Sequence, residues 1–202
     1  MANIKEPSML DVFEKNKYSL PQASKASKSW FDQQILLLHH QNINGSNVLK
    51  TAPHFTSIGK IMPGKLYLYR YDAKYKSSLP YWDMFPLVFP YEKTKDGFYG
   101  LNFHYLPYQL RIKLLDKMMV FATNKNMDEN TRLRYSWQLI SGISKFKFAE
   151  PCIHRYLNSH IRTQCREITA NNWATAMMLP VEGFVGANKA KVWQESKRSI
   201  NK

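Results

Sequence analysis

The chain has 202 residues, and its 29 lysines and arginines outnumber its 15 aspartates and glutamates, which gives a formal net charge of +14. Because 44% of the residues are hydrophobic and 14% are aromatic, the chain can form a sizeable core, which excludes a mostly disordered basic tail. No apolar run approaches the roughly 18 residues that span a bilayer, and the N-terminus lacks a signal-peptide pattern, so we expect a soluble, unexported globular protein.

The order of the segments predicts an α+β fold. We expect an N-terminal arm over residues 1–26 and a single α+β domain over residues 27–202. Within that domain, the sheet core is predicted at about 61–106 and a helical part at about 107–170. The arm is polar and proline-bounded, which suits docking on other proteins.

The first part of the domain is predicted to be a helix followed by a loop. A helical pattern begins near Ser29, whose hydroxyl can cap the first turn. Turn-forming residues at 42–45 predict the end of that helix, and residues 46–60 are predicted to be a connecting loop.

Three short aromatic segments predict a sheet. Residues 65–72 alternate in the manner of a strand, with three tyrosines on one face and two leucines and an arginine on the other: Tyr67, Tyr69, Tyr71 and Leu66, Leu68, Arg70. Residues 82–89 predict a second strand, which its prolines restrict to an edge or a bend. A tight-turn sequence at 94–97 precedes a third strand over 98–106. We therefore expect a small antiparallel aromatic-rich sheet or partly closed barrel, flanked by several helices.

Helical patterns dominate the remainder. One helix is predicted from Pro107 to about Ala122, and a second is predicted to be capped by Asp128 or Asn130 and to end near Gly142. A short basic helix is predicted from residue 187 onward.

Two further elements are predicted between those helices. Pro151 can start a third helix, on which Ile153, Leu157 and Ile161 recur at a spacing of four. Residues 171–179 predict a late strand that joins the sheet.

Signatures of catalysis are missing from the sequence. It contains no Walker-type glycine loop, no dinucleotide-binding glycine pattern, no nucleophile elbow and no zinc-protease motif, so we expect neither an enzyme nor a cofactor. A nuclease would need clustered carboxylates, but no recognisable nuclease spacing connects the four aspartates Asp72, Asp83, Asp96 and Asp116.

Cysteine and histidine residues do not predict a metal site. The spacing of Cys152, His154, His160 and Cys165 matches no familiar zinc pattern. On the predicted third helix the two cysteines would lie roughly 20 Å apart, which excludes a disulfide. We expect reduced thiols.

The basic surplus is the strongest functional feature, and it is uneven: residues 101–202 hold 16 basic and 7 acidic residues. A row of guanidinium groups on a rigid helix can follow a phosphate backbone. The predicted nucleic-acid contacts are therefore the arginines of the third helix together with lysines near it and in the terminal segment, and one arginine beside the tyrosines: Arg155, Arg162, Arg166, Lys145, Lys147, Lys189, Lys191 and Arg70.

Two alternatives stay open at this point. The basic face can equally serve an acidic protein surface, whereas an anionic membrane is disfavoured because no basic helix has a large apolar face. The aromatic face of Tyr67, Tyr69 and Tyr71, with Phe103 and Tyr105, is either a stacking platform for unpaired bases, with Tyr69 beside Arg70 as its centre, or the core side of the sheet.

Residues 63–115 carry a family resemblance. The segments Pro63–Asp72, Leu79–Phe89 and Gly97–Pro107, and the helix that starts near Arg111, resemble the DNA end protector family of T-even-like contractile-tailed phages. The similarity is strong over about a quarter of the chain, and looser over residues 173–180.

The resemblance implies a head- and neck-associated virion protein without a catalytic centre. Such a protein would bind the end of the packaged double-stranded DNA near the portal and neck, and would shield it from host exonuclease after injection into the host cytoplasm. Its implied partners are that DNA end and portal, neck or tail proteins, with no membrane and no small-molecule substrate. The alternative is a structural neck, tail or baseplate component that binds acidic virion subunits without touching DNA.

Overall fold

An antiparallel sheet with a buried surface on each side organises the α+β fold. The computed structural model describes residues 45–50, 58–111, 128–169 and 173–201. The strands are β1 (Leu66–Leu68), β2 (Trp82–Asp83), β3 (Leu87–Thr94), β4 (Gly97–Asn102), β5 (Ile153–Leu157), β6 (Arg166–Ile168) and β7 (Phe184–Val185). The α-helices are α1 (Gly45–Lys50), α2 (Glu129–Ile143), α3 (Trp173–Met178) and α4 (Lys189–Asn201), and a further helical segment covers residues 108–111. Short 3-10 helices cover Ile58–Lys60, Phe103–Tyr105, Lys147–Cys152 and Asn158–His160.

Five strands form the main sheet in the order β5-β4-β3-β1-β6, and every neighbouring pair is antiparallel. β2 and β7 form a separate antiparallel pair. The sheet is open, so the predicted antiparallel sheet is confirmed, and the alternative of a partly closed barrel is not.

The alternation predicted for residues 65–72 determines how the two faces are filled. Leu66 and Leu68 pack into one apolar cluster, which also contains residues of the helices. Tyr67, Tyr69 and Tyr71 pack into a second cluster on the opposite side. Because successive side chains of a strand point to opposite faces, one strand supplies both layers of the core.

The hairpin of β3 and β4 follows the predicted turn. Residues 95–96 form a two-residue connection between Thr94 and Gly97, which are paired across the hairpin. Pro90 lies at a register shift in β3, beyond the two residues that pair with β1, and its carbonyl accepts a hydrogen bond from Gly64 N at 3.1 Å. The predicted bend is present, because a residue without an N–H cannot continue a regular ladder.

Side-chain caps fix the starts of two helices, and the cap at Asp128 is the predicted one. The Asp128 side chain accepts hydrogen bonds from Thr131 N at 2.9 Å and from Thr131 Oγ1 at 2.7 Å, which fixes the start of α2. The side chain of Asn188 accepts from Lys191 N at 2.9 Å at the start of α4. The second predicted helix and the terminal basic helix are therefore confirmed.

Four predicted elements are wrong. The strand predicted over residues 82–89 is divided, because residues 82–83 form β2, which pairs with β7 outside the main sheet, and β3 begins at Leu87. Residues 153–157 form strand β5 instead of the third helix, and β6 follows, so the sheet extends well into the predicted helical part. Residues 173–178 form helix α3 instead of the late strand. Residues 45–50 form helix α1 instead of turn and loop.

Other predictions fall outside the described residues. They include the arm over 1–26, the helix near Ser29, and the helix after Pro107 beyond residue 111. Among the helices that are described, none has the length and apolar character to cross a membrane.

Candidate nucleic-acid interface

The eight predicted nucleic-acid contacts lie on several elements instead of one helix face. Arg155 is on β5, Arg166 is on β6, and Arg162 follows a 3-10 helix, so the predicted row of arginines does not exist. The exposed members of the set are Arg70, Lys145, Lys147, Arg155, Arg162 and Lys191, whereas Lys189 is half-buried.

Arg166 is the exception, because its side chain is buried. It is only 4% exposed, and burial lowers the pKa of its guanidinium to about 10. Its Nη1 atom has no hydrogen-bond partner within the described part of the chain. Because this guanidinium is buried at the edge strand β6, it cannot contact a phosphate backbone.

Arg70 and Arg162 are brought together by backbone pairing. Arg162 N donates to Arg70 O at 2.8 Å, and Arg70 N donates to Thr163 Oγ1 at 3.0 Å. The Arg162 guanidinium donates to Asp72 Oδ2 at 3.1 Å, and Lys76 Nζ lies 2.5 Å from Asp72 Oδ1. Hydrogen bonds from Lys76 and Arg162 lower the pKa of Asp72.

Arg155 has a carboxylate partner of the same kind. Its Nη2 donates to Asp96 Oδ1 at 2.7 Å, and this hydrogen bond lowers the pKa of Asp96. Lys189 lies 3.3 Å from Glu182 Oε1. The guanidinium groups of Arg155 and Arg162 are therefore held by the carboxylates of Asp96 and Asp72.

Lys145 and Lys147 occupy the segment that follows α2. Phe146 and Phe148 alternate with these lysines in the sequence, and both phenylalanines are exposed, at 61% and 37%. Sequence reasoning missed the two phenylalanines, although the Lys-Phe-Lys-Phe alternation was visible.

The tyrosine face is core. Tyr67 and Tyr69 are completely buried, and the Tyr69 ring makes edge contacts at 5.7–6.4 Å with Tyr71, Phe98 and Tyr156. Phe103 and Tyr105, which were predicted to share this face, are buried in the other apolar cluster. Burial raises the pKa of Tyr69 well above its ordinary value. A base cannot stack on Tyr69, so the core interpretation of this face is confirmed.

An open cavity of about 690 Å³ lies beside the tyrosine cluster, and its walls include Tyr75, Tyr81 and Trp82. Its lining carries the cations Lys74 and Arg155 together with the carboxylates Asp96, Glu150 and Glu195. This mixture of charges does not favour a phosphate.

A buried polar network joins β2, β4 and the segment before α4. Asp83 accepts hydrogen bonds from the amides of Phe85 and Gly183, both at 3.0 Å, and from the Asn102 side chain at 3.1 Å. His104 Nδ1 lies 2.7 Å from Asp83 Oδ2. Although burial opposes ionisation, His104 and these hydrogen bonds lower the pKa of Asp83.

The aspartates that were considered for a nuclease site lie in separate places. Asp83 holds chain segments together in the interior, and Asp72 and Asp96 hold surface arginines, so these three do not form one acidic cluster. Asp116 lies outside the described residues. In the part of the chain that the structure covers, no group of three His, Cys, Asp or Glu residues could hold a metal ion.

The cysteines and histidines of the predicted third helix are engaged locally. Cys152 and Cys165 are free and buried, and burial raises the pKa of the Cys165 thiol to about 12. His154 Nε2 donates to Pro151 O at 3.1 Å, and His160 Nδ1 donates to Asp72 O at 2.8 Å.

Comparison with known proteins decides the family. A family model described as phage T4 terminal DNA protecting protein matches residues 14–198. The chain belongs to this family. No curated protein and no solved structure matches it significantly.

Membership of the terminal DNA protecting family extends far beyond the region of sequence resemblance. The matched range contains every described strand and all eight predicted contact residues, and it reaches into α4. The predicted family is therefore confirmed over most of the chain, including β5, β6 and the Lys-Phe-Lys-Phe segment.

Proposed function

We propose that this protein binds the terminus of packaged double-stranded DNA near the portal and neck of the virion, and that it protects this end from host exonuclease after injection into the host cytoplasm. The observation that carries the proposal is the family match over residues 14–198, since the family is described as protecting terminal DNA. The proposed partners are the DNA end and the portal, neck or tail proteins around it.

The charge of the chain supports sequence-independent binding. Contacts to phosphates supply affinity for any duplex, because each neutralised phosphate releases counterions. A formal net charge of +14, with most predicted contacts exposed, supplies the cations for such binding.

A non-catalytic role is part of the same proposal. Protection requires only that the end be covered, so no reaction centre is needed. Asp72 and Asp96 pair with lysine or arginine, Asp83 belongs to the buried network and Asp128 caps α2, which is consistent with protection without cleavage.

The predicted phosphate contacts differ in whether their charge is already paired with a carboxylate. Arg70, Lys145, Lys147 and Lys191 form no ion pair within the described residues, so their charges are available to phosphate without competition. Arg155, Arg162 and Lys189 would have to exchange a carboxylate for a phosphate. We propose the first four as the principal phosphate contacts.

Binding of end-labelled duplex DNA at several salt concentrations tests this function. We expect the logarithm of the affinity to fall linearly with the logarithm of salt concentration, by about 0.9 for each phosphate contacted. Arg70→Ala and Lys191→Ala should each reduce that slope by about 1. Lys60→Ala removes the same charge from an exposed residue outside the proposed set, and it should leave the slope nearly unchanged.

A second assay measures protection directly. Linear duplex mixed with the protein should resist a double-strand exonuclease at low salt and become sensitive as salt releases the protein. An absence of binding at low salt, or an affinity indifferent to salt, would refute the proposal. Free protein that ignores DNA but binds assembled heads or tails would instead support a structural component matched to acidic virion subunits.

A further inference from the structure

In the segment Lys145–Phe148 two exposed lysines alternate with two exposed phenylalanines. The ring centroids of Phe146 and Phe148 lie 6.2 Å apart, with an angle of 26° between the ring planes, so the two rings are stacked. Phe146 is 61% exposed and Phe148 is 37% exposed. Large apolar side chains that remain in water beside charged ones are typical of a binding surface.

The backbone of this segment is fixed by its neighbours. Lys145 N donates to Gly142 O at 3.2 Å, and Phe146 N donates to Ile143 O at 2.9 Å, both at the end of α2. Ala149 N donates to Phe146 O at 2.9 Å, and Ala149 itself is buried. The rings are thus displayed by an ordered turn, which lowers the entropy cost of using them for binding.

The two lysines of this segment favour a negatively charged ligand. Lys145 and Lys147 flank Phe146 in the sequence, and neither forms an ion pair within the parts of the chain that the structure describes. Aromatic side chains next to cations are the combination that binds nucleic acids through base stacking and phosphate contacts together.

Geometry then distinguishes the end of a duplex from its interior. Inside a duplex both faces of every base pair are covered by neighbouring pairs, so phosphates are accessible but flat aromatic surfaces are not. At a terminus, one face of the last base pair is uncovered, close to the last phosphates. A pair of exposed phenylalanines that alternates with two lysines in one turn matches this arrangement.

We propose that the stacked pair of Phe146 and Phe148 packs as a unit against the exposed face of the terminal base pair, while Lys145 and Lys147 contact the phosphates of the last nucleotides. This inference rests on the proposed function and adds to it the feature that makes binding specific for an end. The lysines supply affinity for any duplex, and the phenylalanines supply the preference for a terminus.

The test compares linear blunt-ended DNA with a covalently closed circle of the same sequence. We expect the wild-type protein to bind the linear form more tightly. Phe146→Ala/Phe148→Ala should weaken binding to the linear form about 5- to 150-fold, the range that corresponds to stacking on one base, and should leave binding to the circle and its salt slope unchanged. Phe146→Tyr/Phe148→Tyr keeps both rings and should retain the preference for ends.

The lysines provide a matched comparison. Lys145→Ala/Lys147→Ala should weaken binding to both DNA forms alike and reduce the salt slope by about 2. A fluorescent adenine analogue at the terminal position of the linear DNA should change its emission on binding wild type but not the double alanine variant of the phenylalanines. The same analogue at an interior position should respond to neither protein.

Failure of the inference and failure of the proposed function give different results. Wild type that binds neither form at low salt overturns both. Wild type that binds both forms equally, or a double alanine variant of the phenylalanines that keeps the preference for ends, overturns the stacking inference and leaves the DNA-binding function standing. Thermal unfolding should show that each variant is folded at the temperature of the binding assay, and Phe146→Ala alone, which replaces the ring that is 61% exposed, should match wild type.

Discussion

Arg111 offers a sharp test of how the interior is held together. Its side chain is completely buried and donates to three backbone carbonyls: Leu106 O at 2.6 Å, Met177 O at 3.0 Å and His104 O at 3.1 Å. It also lies 3.9 Å from Glu182 Oε2. The guanidinium therefore connects the segment after β4, the end of α3 and the segment before α4. The substitution Arg111→Met keeps much of the volume but removes these contacts.

The size of the effect follows from what remains after the change. At an effective dielectric constant of about 20, two unit charges 3.9 Å apart attract each other by about 4 kcal/mol, before desolvation is considered. Breaking a buried pair from one side costs about 3–5 kcal/mol. Because Glu182 keeps Lys189 at 3.3 Å after Arg111→Met, the lost ion pair alone accounts for the lower part of that range. The three carbonyls also lose a charged donor. We therefore expect a loss of about 3–5 kcal/mol in the free energy of unfolding.

Glu182 provides the internal control. Although burial opposes its ionisation, Arg111, His104 and Lys189 lower the pKa of this carboxyl, so its charge depends on these neighbours. Glu182→Gln removes the charge and keeps an oxygen acceptor. In that background, Arg111→Met should cost less than in wild type, by about 0.5–3 kcal/mol, which is the coupling expected for residues of one network.

Urea unfolding followed by circular dichroism measures all four proteins of this cycle. The dependence of the unfolding free energy on urea should stay similar, so that shifts of the midpoint report stability alone. A cost below about 1 kcal/mol for Arg111→Met, or an equal cost in both backgrounds, would refute the assignment of Arg111 as the buried link.

Two further predictions concern β4 and the buried network. A Cβ atom at Gly97 would collide with Tyr156 O on β5, so Gly97→Ala should destabilise the fold by about 1–3 kcal/mol. A Cβ atom at Gly142 in α2 meets no atom within 4 Å, so Gly142→Ala should stabilise the fold by about 0.5–1 kcal/mol. Thermal unfolding that shifts in the same direction for both variants would contradict this. The pKa of Asp83 is lower in the folded state than its unfolded value of about 3.9, so its ionised form stabilises the fold above that value, and this contribution is lost as the pH falls toward the folded pKa. Asp83→Asn should therefore flatten the loss of stability between about pH 5 and pH 2 in urea unfolding, and an unchanged slope would count against it.

Local patterns explain which parts of the fold were predictable. The alternation in residues 65–72, the turn at 94–97 and the cap at Asp128 depend on neighbours in the sequence, and the structure confirms each of them. The failed third helix shows the limit of such patterns. Ile153 and Leu157 are four residues apart. This spacing equals two strand periods and is close to one helical turn of 3.6 residues, so it places both side chains on one face of either element.

The choice between strand and helix at residues 153–157 depends on distant partners. In β5, Tyr156 pairs with Phe98 and Ile153 pairs with Leu101, contacts that no local pattern contains. The wrong strand at residues 171–179 has a different cause. The apolar run that predicts a strand there includes Met177 and Met178, which, like Ala176, favour a helix by intrinsic propensity.

The candidate site was predictable by charge but not by placement. Lys145 and Lys147 were identified from the basic surplus, and both are exposed, but the stacked phenylalanines beside them were not recognised. Arg166 was chosen from helical spacing, and its burial follows from the strand that replaced the helix. A net charge counts cations without saying which are paired, buried or exposed, and only the fold makes that distinction.

Affinity for DNA and preference for its end are separate physical requirements. Phosphate contacts act along the whole duplex, so cations alone would distribute the protein over the genome instead of holding it at a terminus. A terminus exposes one face of its last base pair, which a flat aromatic group can recognise by stacking. In the described chain the tyrosines of the sheet are buried, whereas Phe146 and Phe148 are stacked and exposed. These two rings, with Lys145 and Lys147 beside them, therefore combine both requirements in a single turn.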